Sequence, residues 1–187
     1  MKTKILFTLV GGLLLFIWQF LSFAFPNFHK EAMRYTPLQD TLLATIERSG
    51  LEPGRYILGM PDPALEGDRE KMEAEFKAKY EGRPWAVLQY AHNNTMDMEL
   101  NMVRGVLVCM ITAWLFFLVL SAMRVESLVS RIGVGVAVGL IGFLFIPYSS
   151  YIWFREPGIW AYLLDGVAPW AILGALGHVF LRAKNRR

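Results

Sequence analysis

The sequence predicts an all-α four-helix transmembrane bundle with a small extracytoplasmic α/β module, of order α-β-α-β, inserted between helices 1 and 2. Three observations predict it. Four apolar runs approach membrane-spanning length, a polar segment of mixed periodicity separates the first two, and Lys and Arg gather at one set of span ends. The chain has 187 residues, of which 55% are hydrophobic, too apolar for an ordinary soluble domain of this size.

Helix 1 is placed at residues 5–25, an unbroken apolar run behind Lys2 and Lys4 and ahead of Pro26. At ~1.5 Å per residue it covers roughly 31 Å, close to the ~30 Å of bilayer hydrocarbon. A cleaved leader would have a shorter apolar core and small residues at its end. Here Phe23 and Phe25 occupy that end, so an uncleaved helix is expected.

Residues 27–101 form the module. Thr36-Pro37 is a helix start, with Thr as cap and Pro at the first helical position. Leu38, Leu42, Leu43 and Ile46 mark one face, and Ser49-Gly50 stops it. Residues 55–60 are expected to be a strand. Asp68 caps a second helix running to about Glu81, with Glu73–Lys77 and Glu75–Lys79 pairs at i, i+4. After Gly82 and Pro84, residues 85–91 are a second strand. A helix between two strands fits a right-handed βαβ crossover if the strands are parallel. Two strands and two helices make a thin core, which a second copy or a partner strand at the open edge would relieve.

Helices 2, 3 and 4 are placed at residues 103–123, 132–148 and 166–182, with an aromatic outer loop at 149–165. The glycines Gly133, Gly135, Gly139 and Gly142 in helix 3, and Gly174 and Gly177 in helix 4, are helix-packing positions. Gly135 and Gly139 form a small-x-x-x-small face. Tyr151, Trp153, Phe154, Trp160 and Tyr162 suit an aromatic belt at the membrane–water boundary.

The charges then orient the chain. Lys2, Lys4, Arg124, Arg131, Arg182, Lys184, Arg186 and Arg187, opposed by Glu126 alone, give one side +7 and leave the other at −4. That is the positive-inside pattern, expected for an inner-membrane protein with both termini cytoplasmic and a periplasmic module. The basic balance is a topology signal, so no nucleic-acid partner is expected. The expected partners are the bilayer and another membrane or periplasmic protein, or a second copy.

Chemistry leaves few traces. The single cysteine, Cys109, excludes paired-thiol redox enzymes. Hydrolase nucleophile motifs, a His-Glu-x-x-His zinc motif, a P-loop and a dinucleotide-binding glycine turn are all missing, so no enzyme is expected. His29 near Glu31 is assigned to surface solvation. The one metal candidate is His92 with Met96, Met98 and Met102, whose imidazole and thioethers suit Cu(I); no other cofactor is expected. Packing is the ordinary use of such methionines, and only Met98 and Met102 would share a helical face. The functional expectation is a non-enzymatic accessory, scaffold or interaction subunit. A small oligomeric transporter or channel is the alternative, with Gln19, Arg104, Asp165 and His178 as its polar groups.

Overall fold

The structure, a computed structural model, describes residues 2–65 and 67–185. Arg186 and Arg187 of the basic tail lie outside the described residues. The chain divides into two compact units, one comprising Met1–Arg34 with Met96–Arg187, the other Tyr35–Thr95.

The first unit is helical. It contains α1 (Lys2–Phe23), α4 (Met98–Ala122), α5 (Leu128–Phe143), α6 (Ser149–Phe154) and α7 (Ile159–Asn185). Four stretches of 22 to 27 residues are long and apolar enough to cross a membrane: α1, α4, the run Leu128–Phe154 and most of α7. Polar caps set the starts of α4 and α5. The Asp97 carboxylate accepts from Leu100 N–H at 2.9 Å, and Ser127 Oγ accepts from Ser130 N–H at 3.0 Å.

The third span runs further than expected. The sequence ends it at residue 148, with an aromatic outer loop beyond. Instead residues Leu144–Tyr148 form a π-helical turn that absorbs the missing N–H of Pro147, and the helix continues through α6 to Phe154. Arg155 and Gly158, both at positive φ, then make a tight turn into α7. The aromatic residues of the expected loop are therefore mostly helical, and Trp153 and Trp160 are each 76% exposed.

Helix contacts arrange the spans up and down. Phe7 near the start of α1 lies against Phe117 near the end of α4, at 5.1 Å between ring centroids, and against Phe180 near the end of α7 at 5.7 Å. Trp18 near the end of α1 reaches Asp165 near the start of α7. So α1 runs opposite to both neighbours, and the two chain ends share one end of the bundle. The core is Phe7, Leu15, Cys109, Ala113, Phe116, Leu120 and Leu173 with their neighbours, while Leu9, Leu13, Leu107, Ile111 and Ile141 face outward, each more than half exposed. Apolar rings and branches on both the inner and the outer faces are what lipid requires and water would not tolerate.

In lipid, helix association depends on close packing, and small residues permit it. A side chain at Gly135 would strike the Trp170 carbonyl, at Gly139 the Gly166 carbonyl, and at Gly174 the backbone of Arg131. These three bring α5 and α7 into backbone contact. Gly177 makes room for Leu120 of α4. Gly133 and Gly142 meet nothing and do not pack within the chain, because both lie on the exposed side of α5 while Gly135, Gly139 and Phe143 face α7. The packing of α1 on α4 and α7 uses Gly11 and Gly12.

In the second unit, α2 (Gln39–Arg48), β1 (Gly54–Leu58), α3 (Arg69–Lys79) and β2 (Ala86–Tyr90) follow in the expected order. The strands are antiparallel, pairing Gly54 with Tyr90 and Leu58 with Ala86. This corrects the crossover, since a long connection through a helix permits either strand direction. The first helix starts later than Thr36-Pro37 implies: Thr36 Oγ1 accepts from Leu38 N–H at 3.3 Å in the preceding turn. Asp68 does cap α3, accepting from Lys71 N–H at 3.1 Å. Lys79 pairs with Glu75 at 2.6 Å, whereas Glu73 pairs with Arg69 rather than Lys77.

Candidate functional site

A polar cluster joins α1 to α7 through a side chain from the connector beyond α1. Beyond Phe23 a 3-10 turn, Phe28–Glu31, folds back and carries His29 to 1% exposure. Its Nε2 lies 2.8 Å from Asp165 Oδ2. Phe23 stacks on the imidazole at 4.0 Å with the rings parallel, and Tyr162 meets it edge-on at 4.7 Å. Asp165 Oδ1 accepts two further hydrogen bonds, from Trp18 Nε1–H at 2.9 Å and from the fully buried Ser22 hydroxyl at 2.8 Å. An ionised carboxylate only accepts, so His29 presents Nε2–H to it, and Nδ1 is left buried without a partner.

This overturns the surface assignment of His29. Its partner is 136 residues away, a pairing no local spacing reveals. The readable clue is on the other side: Asp165 is an acid inside an apolar helix, where a carboxylate needs several donors.

Asp165 also borders a cavity of about 230 Å³ between α1, α4 and α7. Gln19, Cys109 and Thr112 supply its other polar groups, and Trp18, Phe23 and Trp170 supply aromatic walls. Cys109 donates its S–H to Gln19 Oε1 at 3.4 Å. Because Cys109 and Trp170 lie near the middle of α4 and α7, the cavity reaches from the Asp165 cluster toward mid-bundle. Of the four polar groups named for a transport path, Gln19 and Asp165 line this space; Arg104 and His178 do not.

Arg131, one of the charges on the positive side, is not a free flanking group. It is 5% exposed, donating Nε–H to the Val125 carbonyl at 2.9 Å and Nη1–H to the Gly177 and His178 carbonyls at 3.3 and 3.1 Å. It ties the start of α5 to α7, where Gly174 lets the backbones approach. The His178 Nδ1 is buried without a partner.

Of the metal candidates, His92 belongs to the unit Tyr35–Thr95 and Met96, Met98 and Met102 to the helical unit. Tyr90 OH lies 3.3 Å from His92 Nδ1, and Glu52 lies 3.7 Å from His92 Nε2, all on the two-stranded unit. Met96 precedes α4, while Met98 and Met102 sit one turn apart on it, at 64% and 50% exposure. Among the described residues no three His, Cys, Asp or Glu side chains gather as a metal site.

The unit Tyr35–Thr95 offers a different feature. None of its described residues is buried. Leu38, Leu42 and Leu43 of the α2 face are each more than half exposed. A groove of about 470 Å³ runs beside α3, with Met60, Pro61, Met72 and Phe76 between the charged side chains of Arg69, Glu73 and Lys77.

Fold and site together define a multi-pass α-helical membrane protein with a His–Asp pair, its histidine buried and its aspartate half-buried, toward one end of its bundle. Compared with known protein families, curated proteins and solved structures, the chain matches none.

Proposed function

We propose that the protein is a non-enzymatic interaction subunit of a bacterial inner membrane, with cytoplasmic termini and residues 35–95 displayed in the periplasm to a protein partner. The observation that carries this reading is the unit Tyr35–Thr95 itself, in which no described side chain is buried. A unit of this size is marginal even with a core. Here an apolar α2 face, an apolar groove beside α3 and the outer edges of a two-stranded sheet all remain uncovered. A protein surface suits them better than lipid. The polar side of α2 carries Asp40, Glu47 and Arg48, whereas surface-seeking helices are rich in Lys and Arg.

The test is photo-crosslinking from Leu42 and Met72 in intact cells, followed by mild solubilisation. The expected result is one discrete adduct from both positions, either with another envelope protein or with a second copy of the chain. Absence of an adduct from both positions overturns the reading. The cavity bordered by Asp165 favours a second reading, a small oligomeric transporter, which solute flux in proteoliposomes distinguishes.

A further inference from the structure

We infer that the cavity between α1, α4 and α7 is a binding site for a small organic ammonium ion, with Asp165 as its counter-ion. The inference stands apart from the partner reading and fails or holds separately from it.

Charge comes first. Asp165 bonds an indole, a hydroxyl and an imidazole, and no Lys or Arg bonds it among the described residues. A carboxylate offers about four lone-pair directions. Oδ1 accepts two donors and Oδ2 one, so these three donors do not saturate the carboxylate, and Asp165 lines the cavity. Its side chain is one-quarter exposed.

Pro169, four residues after Asp165 within α7, also lines the cavity. It has no N–H to give, so the Asp165 carbonyl lacks its usual i+4 helical donor. A carboxylate with acceptor capacity to spare and no cationic partner favours a ligand that donates hydrogen bonds and carries positive charge.

The walls define the rest of the ligand. Trp18, Phe23 and Trp170 present rings, and aromatic faces attract cations. Gln19 and Thr112 provide side-chain polar groups deeper along the cavity. At about 230 Å³ the space suits one small molecule with an apolar body. A bare metal ion would want more oxygen ligands than these, and an anion would meet the carboxylate.

Three buried or half-buried donors hold the carboxylate in place before any ligand arrives, so little reorganisation is required on binding. His29 and Ser22 are positioning residues in this account, while Asp165 touches the ligand.

The probes are benzylammonium and benzyl alcohol, nearly equal in shape and different in charge. They are titrated into the full-length protein in nanodiscs of neutral phosphatidylcholine, against empty discs, by calorimetry and by quenching of tryptophan fluorescence. Benzylammonium should bind saturably, about tenfold or more tighter than the alcohol. In Asp165→Asn that preference should vanish. Asn retains an acceptor for Trp18 and Ser22, so the fold should persist. Should Asp165→Asn nevertheless fail to fold, Thr112→Phe decides, because the half-buried Thr112 lines the cavity and takes no part in the Asp165 network; binding of both probes should be lost. Equal affinity for the two probes, a preference surviving in Asp165→Asn, unchanged binding in Thr112→Phe, or no saturable binding at all would each overturn the assignment.

Discussion

Asp165 illustrates how a polar residue is tolerated inside an apolar helix. Its carboxylate is solvated by protein donors in place of water: Trp18, Ser22 and His29 each give one hydrogen bond. Replacing it with Ala removes the shared acceptor and strands all three. The expected loss is about 1–3 kcal/mol for each buried donor left unpaired. Asp165→Ala should therefore melt well below Asp165→Asn in detergent, as read by circular dichroism. Equal melting of the two variants would mean the cluster does not hold α1 to α7. Arg131 makes the same point at the other end of the bundle, since its charge is met by carbonyl dipoles rather than by an acid. Arg131→Ala should lower the melting temperature, whereas Arg182→Ala, at an exposed position, should leave it nearly unchanged.

Two titrating groups on α3 act on stability in opposite directions. The hydrogen bonds from Lys71 hold the Asp68 carboxyl below its usual range. A carboxyl whose folded value is depressed stabilises above its unfolded value of about 3.9 and loses that contribution as pH falls toward the folded one. Glu75 raises Lys79 above its ordinary value, so that pair contributes fully below about 10.4 and is lost as pH rises further. The α3 contribution to helicity should thus be flat between those limits. It should fall at the acid end in both proteins, and by less in Asp68→Asn, where an uncharged cap replaces the titrating one while the Glu73–Arg69 and Glu75–Lys79 pairs still lose their carboxylates.

At the scale of elements, the α5–α7 seam depends on the absence of side chains. Gly139→Leu would drive a branched side chain into the Gly166 carbonyl and the Trp170 ring. Overpacking against backbone should cost about 3 kcal/mol or more. Gly133→Leu and Gly142→Leu, facing open space, should be nearly neutral within one chain. Size-exclusion homogeneity and thermal melting of the three variants check this directly. If Gly142→Leu is as disruptive as Gly139→Leu, the outward face is itself a contact surface.

The same elements show which features are legible in the amino-acid order. Spans are readable because a bilayer imposes length and continuous apolarity on consecutive residues, and α1 and α4 appear within a few positions of where the hydropathy puts them. Asp68 is readable as a cap because its bond closes within three residues. The direction of β2 is not, since a long connection through α3 can return the chain either way. Nor does spacing reveal the His29–Asp165 pair, which arises only when a 3-10 turn after α1 meets the first turns of α7. The extension of the third span past Pro147 required knowing that the helix would widen rather than stop.

For the whole helical unit, the antiparallel contacts of α1 with α4 and α7 put the start of α1 and the end of α7 at one end of the bundle. In the topology we propose, that end is the cytoplasmic one. The unit Tyr35–Thr95 enters the chain between α1 and α4, so one span precedes it and three follow, an odd number on either side.

Compartment-specific labelling tests this arrangement most directly. In a Cys109→Ser background, Lys2→Cys, Ser49→Cys and Arg182→Cys are each challenged with a membrane-impermeant maleimide on intact spheroplasts. The account predicts that Ser49→Cys is labelled at once, while Lys2→Cys and Arg182→Cys stay protected until the membrane is broken. Labelling of one terminus but not the other, or protection of Ser49→Cys, would contradict it.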